Sequence, residues 1–123
     1  MKPIKWLGPR PIKNLSVAGN VLPEPGVYLL FYNFNDNLKV FYAGTAKNLQ
    51  SRLLGYAKEK GEDQCIKTKI KSYNCSFFVA QVHNEFEREG VESYLIRLFE
   101  PECNDIIPSA APIMVNIPED LII

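Results

Sequence analysis

The sequence predicts a mixed α/β fold of the α+β class, with elements in the order β-β-α-α-β-α. Three observations carry that prediction. Residues 27–32 and 38–43 are rich in aromatic and β-branched side chains and flank the turn-forming residues 33–37, so they read as a β-hairpin. Residues 75–82 are almost continuously apolar, as in a central strand covered on both faces. Residues 47–60 and 85–99 show helical apolar spacing after the capping residues Thr45 and Asn84.

Composition bounds the rest. A chain of 123 residues is long enough for one domain with a single core. No apolar run approaches the roughly 18–20 residues of a membrane span, and no signal-peptide pattern opens the chain, so a cytoplasmic protein without a membrane partner is expected. The odd set Cys65, Cys75 and Cys103, without C-x-x-C spacing, argues against a disulfide framework or zinc ribbon and for a reducing setting. With His83 as the lone histidine, a metal site must lean on carboxylate oxygen, which suits magnesium or manganese. The net charge is zero but uneven: residues 39–71 hold eight Lys or Arg against three acids, and residues 84–105 hold two against seven. Neutrality is poor support for tight, non-specific nucleic-acid binding, while the basic segment keeps that option open.

Taken in order, residues 1–25 carry Pro3, Pro9, Pro11, Pro23 and Pro25, which forbid a long helix. An extended lead-in packed on the domain is expected, with Val17 in a short edge strand and Trp6 as an anchor. The hairpin follows. If it folds about Asn35, Tyr28 stands directly opposite Tyr42 on one face of the sheet; a one-residue slip would separate them. Thr45 is the expected N-cap of a helix from about residue 47 to 60, ended by Gly61. Leu49, Leu53, Tyr56 and Ala57 form its apolar stripe, with Arg52 at the edge, one turn before Tyr56. Residues 63–72 read as a short helix bearing Lys67, Lys69 and Lys71, either a solvated face or a phosphate-contacting patch. After the strand, Asn84 caps a helix over residues 85–99 that starts with acids favoured by the helix dipole. Pro101 stops it, and residues 106–123 form an extended apolar tail suited to packing on the domain or on a partner.

The last helix contains the most informative residue. Val91, Tyr94, Leu95, Ile96, Leu98 and Phe99 define a broad apolar arc, and Glu92 falls inside it. A buried carboxylate costs several kcal/mol unless it is paired, hydrogen-bonded or bound to a cation. Two explanations stand side by side: a structural salt bridge to Arg52, or a metal ligand.

Gly26-Val27-Tyr28 and Tyr42-Ala43-Gly44, then Arg52 with Tyr56 one turn later, then Glu92, Pro101 and Asn104, form an ordered set of motifs. In that order and spacing the chain resembles the GIY-YIG nucleases, which include the N-terminal incision module of the nucleotide-excision-repair endonuclease, certain homing endonucleases and some restriction enzymes. The likeness covers residues 26–105 and implies a three-stranded antiparallel sheet flanked by helices. Ala43 stands where the family has isoleucine, a packing change, and no segment resembles the DNA-recognition domain that many members add.

The resemblance implies a metal-dependent endonuclease that hydrolyses DNA phosphodiester bonds by a one-metal mechanism, in repair or recombination. It implies that Glu92 holds one divalent cation, Mg2+ or Mn2+, and that Arg52 stabilises phosphate charge through its donor fork. Tyr28, with Tyr42 beside it, would act as general base or orient the water. Tyr56 would position water or phosphate, and Asn104 would brace the Glu92 side by hydrogen bonding. Lys58, Lys67, Lys69 and Lys71 are expected backbone contacts. The alternatives are an idle DNA- or protein-binding module of the same fold, and a subunit active only as a homodimer or with a targeting subunit.

Overall fold

A computed structural model describes residues 1–58 and 63–122. Its elements are β1 (Trp6–Pro11), α1 (Asn14–Asn20), β2 (Gly26–Phe34), β3 (Asn37–Ala46), α2 (Leu49–Ala57), α3 (Gln64–Ser72), β4 (Cys75–Gln81) and α4 (Glu85–Phe99). The strands form one antiparallel sheet in the order β1-β4-β2-β3. It has four strands rather than the expected three, because the lead-in supplies β1, which pairs with β4 from Trp6↔Ala80 to Pro11↔Ser76. Flanked on both sides, β4 is the central strand its apolar run predicts. Val17 is not in an edge strand. It is fully buried on α1, in the proline-free stretch where a two-turn helix can form.

The hairpin turns through Asn35 and Asp36, both at positive φ (50° and 64°), the backbone that a two-residue turn between twisted strands requires. Its register differs from the one expected: Tyr28 faces Gly44, and Tyr42 faces Leu30. The pairing set by the turn would, if continued, put Tyr42 opposite Leu29 on the far face. A bulge inserts Phe41 between the Phe31↔Val40 and Leu30↔Tyr42 pairs and restores the parity. Phe41 and Tyr42 therefore share the face that carries Tyr28, while Val40 and Ala43 lie on the other.

Each face of the sheet has its own core. On one, Tyr28, Leu30 and Phe77 pack against Val17 of α1, Leu49 and Leu53 of α2 and Ile66 of α3. Leu49 and Leu53 are 1% and 0% exposed, so each contributes about 2 kcal/mol relative to an exposed side chain. On the other, Val27, Leu29 and Phe78 pack against Val91 and Leu95 of α4. The chain after α4 joins this second core through Val115 and Leu121, and Asn116 accepts from the Ile4 amide and donates back to its carbonyl. Trp6 anchors here too, donating from Nε1 to the Asn116 carbonyl at 2.8 Å.

The caps mark where helices begin. Asn48, not Thr45, caps α2 by accepting from the Ser51 amide, because β3 continues through Thr45 to Ala46. α2 ends at Ala57 with Lys58 as its C-cap, short of the end expected at about residue 60, and the stop expected at Gly61 lies outside the described residues. Asp63 caps α3, and Asn84 caps α4 as its sequence predicts. The cysteine expectation is corrected: Cys65 of α3 and Cys103 after α4 form a disulfide, and Cys75 is the free, buried thiol. Sequence spacing did not reveal the pair because packing of α3 beside the turn that follows α4 closes a separation of 38 residues. Among the described residues, no helix is long and apolar enough to cross a membrane.

Candidate active site

Tyr28 is the fixed point of the site. It projects from near the start of β2 and is fully buried. Its hydroxyl lies 2.7 Å from that of Tyr56, which α2 delivers to the same spot. Arg52, one turn earlier on α2, donates from Nη1 to Tyr28 Oη at 3.3 Å and to the Thr45 carbonyl at 3.2 Å. The helical spacing that placed Arg52 beside Tyr56 in sequence thus brings both onto one phenol. Tyr42 stands diagonally across the hairpin, with ring centroids 6.0 Å apart.

Gly44 makes that cluster possible. A Cβ there would lie 2.6 Å from Tyr28 Oη and 2.8 Å from Tyr42 Cε2. Gly26 answers a different demand, since its Cβ would run into the Ala80 carbonyl on β4. Both motif glycines are close-approach positions.

Burial sets the protonation of these phenols. It is the largest effect on Tyr28, followed by the charges of Tyr56 and Tyr42, and the hydroxyl is held well above the ordinary phenol value. Burial, then Tyr56 and Glu92, pushes Tyr42 up to about 12. Both are neutral hydrogen-bonding groups at neutral pH.

Two clefts open on either side of this cluster. The first, about 420 Å³, is lined by Tyr42, Asp63, Glu92 and Asn104 among others. Glu92 is half-buried, and its carboxylate makes no hydrogen bond or ion pair among the described residues. The alternative of an Arg52 salt bridge is therefore not realised. Burial, then repulsion from Glu89, raises the Glu92 pKa, with Arg52 opposing. Asn104 braces the strand beside it: Oδ1 accepts from the Ala43 amide and Nδ2 donates to the Ala43 carbonyl, both at 2.9 Å. Its brace acts on the β3 edge next to Tyr42 rather than on Glu92 itself.

This donor set fits a hard divalent cation. Among the described residues no three His, Cys, Asp or Glu side chains converge on one point. Glu92, unpartnered in a cleft that the Asp63 and Asp105 carboxylates also line, suits an ion that keeps most of its water, as magnesium does.

The second cleft, about 530 Å³, lies between α2 and α4 and is lined by Lys47, Asn48, Ser51, Arg52, Tyr56 and Arg88 among others. Sequence reasoning passed over Lys47 and Arg88. Arg88 precedes Glu92 by one helical turn, and that spacing was the available signal. The lysines singled out in sequence do not join the site: Lys58, Lys67, Lys69 and Lys71 line neither cleft. Lys69 is committed elsewhere, 2.7 Å from Glu102 and over the stacked rings of Tyr32 and Tyr73. That bond raises the Lys69 pKa and lowers that of Glu102, so Lys69 is withdrawn as a backbone contact.

Residues 24–105 match the family model described as the UvrC-like GIY-YIG domain. The UvrABC system protein C of Bartonella henselae is 33% identical over 84 residues, which cover 68% of this chain and 12% of that protein. The protein of the same name from Methanococcus maripaludis is 36% identical over 82 residues, 66% of this chain and 15% of that one. The chain therefore spans well under a quarter of the length of these relatives. Among solved structures, the magnesium-bound GIY-YIG N-terminal endonuclease domain of UvrC from Thermotoga maritima superimposes with a TM-score of 0.54 at 30% identity, covering 68% of this chain and 86% of that one. A variant of that domain bound to its catalytic divalent cation gives 0.56 at 28% identity, covering 70% and 88%. With motif residues converging on Tyr28 and the family model matching most of its length, this chain belongs to the UvrC-like GIY-YIG family of endonuclease domains.

Proposed function

We propose that this chain is a metal-dependent endonuclease that hydrolyses DNA phosphodiester bonds with one divalent cation, Mg2+ or Mn2+, held at Glu92. The observation that carries the reading is the unpartnered Glu92 carboxylate in a cleft shared with Tyr42, beside the bonded Tyr28, Tyr56 and Arg52. When bound, the cation supplies charge neutralisation for the phosphoryl and leaving oxygens. Arg52 adds fixed donors for charge that develops on the phosphate.

Water adds to phosphorus and the bond to the 3′ oxygen breaks; the water proton passes to solvent through hydrogen bonds, and the leaving 3′ oxygen takes a proton from solvent to become a hydroxyl. Tyr42 and Tyr56 each line a cleft, whereas Tyr28 lines neither. Tyr42 is thus the phenol that meets the water on the Glu92 side, and Tyr56 is the one that meets phosphate on the Arg52 side. Tyr28 is a positioning residue that fixes Tyr56 and Arg52. As a neutral phenol, Tyr42 orients the water rather than removing its proton in advance, and Tyr56 serves phosphate as a hydrogen-bond donor. Asn104 holds the β3 edge that presents Tyr42.

The relatives are named as proteins of a UvrABC system. This favours a second reading, in which cutting needs a dimer partner or a targeting subunit, within DNA repair or recombination in the cytoplasm. Nicking of supercoiled plasmid that requires Mg2+ or Mn2+ and stops with a chelator supports the enzyme. Absence of cutting on supercoiled, linear and branched DNA, with binding retained, would leave the binding module or the partner-dependent subunit.

A further inference from the structure

We propose that the cleft between α2 and α4 is a second phosphate subsite, one that holds a non-scissile phosphate of the bound strand. The inference rests on the reading of this chain as a DNA-cutting enzyme. It concerns Arg88 and Lys47, which line that cleft, whereas Glu92 lines the other.

Charge is the first argument. Lys47, Arg52 and Arg88 all line this cleft, and no carboxylate among the described residues does. Arg88 is only 7% exposed and has no ion pair among the described residues. Its Nη1 donates to the Val82 carbonyl at 3.1 Å and the His83 carbonyl at 2.8 Å. Those carbonyls orient the guanidinium without neutralising it. A guanidinium has five N–H donors, and only the donors on one nitrogen are engaged. A buried charge without a counter-charge is costly, so an anion that enters the cleft recovers an interaction the protein alone leaves unmade.

Shape and position specify the anion. Asn48 and Ser51 at the start of α2 share the cleft with the three cations, which adds hydroxyl and amide donors at the positive end of a nine-residue helix. Glu92 and Asn104 line the other cleft, whereas Lys47, Arg52 and Arg88 line this one. A phosphate at Arg88 is therefore displaced from the one at Glu92, as a neighbouring phosphate along one strand is. Strand phosphates are held by such charge-assisted contacts, which fix register without reading sequence.

The test uses the full chain carrying Glu92→Gln, so that DNA is bound without being cut. Anisotropy of a fluorescein-labelled duplex is followed from 50 to 200 mM salt. Lys47→Gln and Arg88→Gln should each weaken binding and flatten the plot of log affinity against log salt by about 0.9. Arg88→Lys should keep most of the slope, which a purely structural role for Arg88 does not require. Because Arg88 is buried, Lys47→Gln and Ser51→Asp, both on the surface, repeat the test without risk to the fold. Unchanged slopes in these surface variants overturn the subsite. Sodium phosphate that shifts the Asn48 and Ser51 amide resonances, while the DNA slopes stay unchanged, also overturns it and assigns the cleft to free phosphate. If the Glu92→Gln protein binds no DNA, the nuclease reading falls as well; if the parent nicks plasmid and the slopes do not move, only the subsite falls.

Discussion

Replacing Gly44 with alanine is the most direct structural test of the tyrosine cluster. The new Cβ would lie 2.6 Å from Tyr28 Oη, 2.7 Å from Cζ and 2.8 Å from Tyr42 Cε2. Relaxed carbon contacts lie at about 3.5–4.0 Å, so roughly 1 Å must be found. Tyr28 has little room to yield. It is fully buried, its strand is paired on both sides, and its hydroxyl is bonded to Tyr56 at 2.7 Å. Tyr42, on an edge strand and partly exposed, absorbs part of the strain by rotating away from the Glu92 cleft. Overpacking of this kind costs about 2 kcal/mol, which in a domain of this size lowers Tm by about 5–10 °C. A shift of even part of an ångström misplaces Tyr42 itself, or the Tyr56 and Arg52 that Tyr28 positions, and nicking should slow by about 10- to 100-fold. Thermal melts and plasmid nicking are measured on Gly44→Ala, Tyr28→Phe and the double variant. Because Tyr28→Phe removes the nearest clashing atom, the two costs should fall short of additive by at least about 0.5 kcal/mol. A Gly44→Ala protein with parental Tm and rate, or strictly additive costs, would refute the reasoning.

Other expectations follow from the same geometry. Glu92 has a raised pKa, so the folded state holds its proton more tightly than the unfolded chain, and the group loses stability as pH rises from the ordinary glutamate value through the raised one. The penalty is fully present above the folded pKa, so Glu92→Gln should raise Tm at pH 8 and have no effect below about pH 4; a lower Tm at pH 8 contradicts it. Asn104→Ala strips both hydrogen bonds from buried Ala43 and should cost about 2 kcal/mol in denaturant unfolding, with activity falling alongside. Loss of the Cys65–Cys103 link, which closes 38 residues of chain, should cost about 4 kcal/mol by loop entropy, seen as a lower Tm in Cys65→Ser or after reduction. Parental melting in both cases would mean the link is not formed in solution, as expected of a reducing compartment.

Much of this site could be read from the chain because its parts are local. The stripe Leu49, Leu53 and Tyr56 fixed one helix face and so placed Arg52 beside Tyr56, and the apolar arc around Glu92 made its carboxylate conspicuous. What escaped was non-local. The register of Tyr28 and Tyr42 depends on a bulge at Phe41 that no turn residue announces. The fourth strand depends on pairing of a proline-rich segment with β4 some seventy residues away, and the disulfide on the packing of α3. Arg88 looked like one cation in an acidic helix. Its contact is local by comparison: the guanidinium folds back onto the carbonyls of Val82 and His83 just before α4, and only its spacing from Glu92 hinted at a place beside the site.

The central claim is that Glu92 and Arg52 act together in metal-dependent cutting. It is tested most directly by plasmid nicking with Mg2+ or Mn2+, comparing the parent with Glu92→Ala and Arg52→Ala, each checked for folding by circular dichroism. The account predicts cation-dependent nicking by the parent and its loss in both variants while the folded spectrum is kept. Cleavage that survives Glu92→Ala in a folded protein would contradict it.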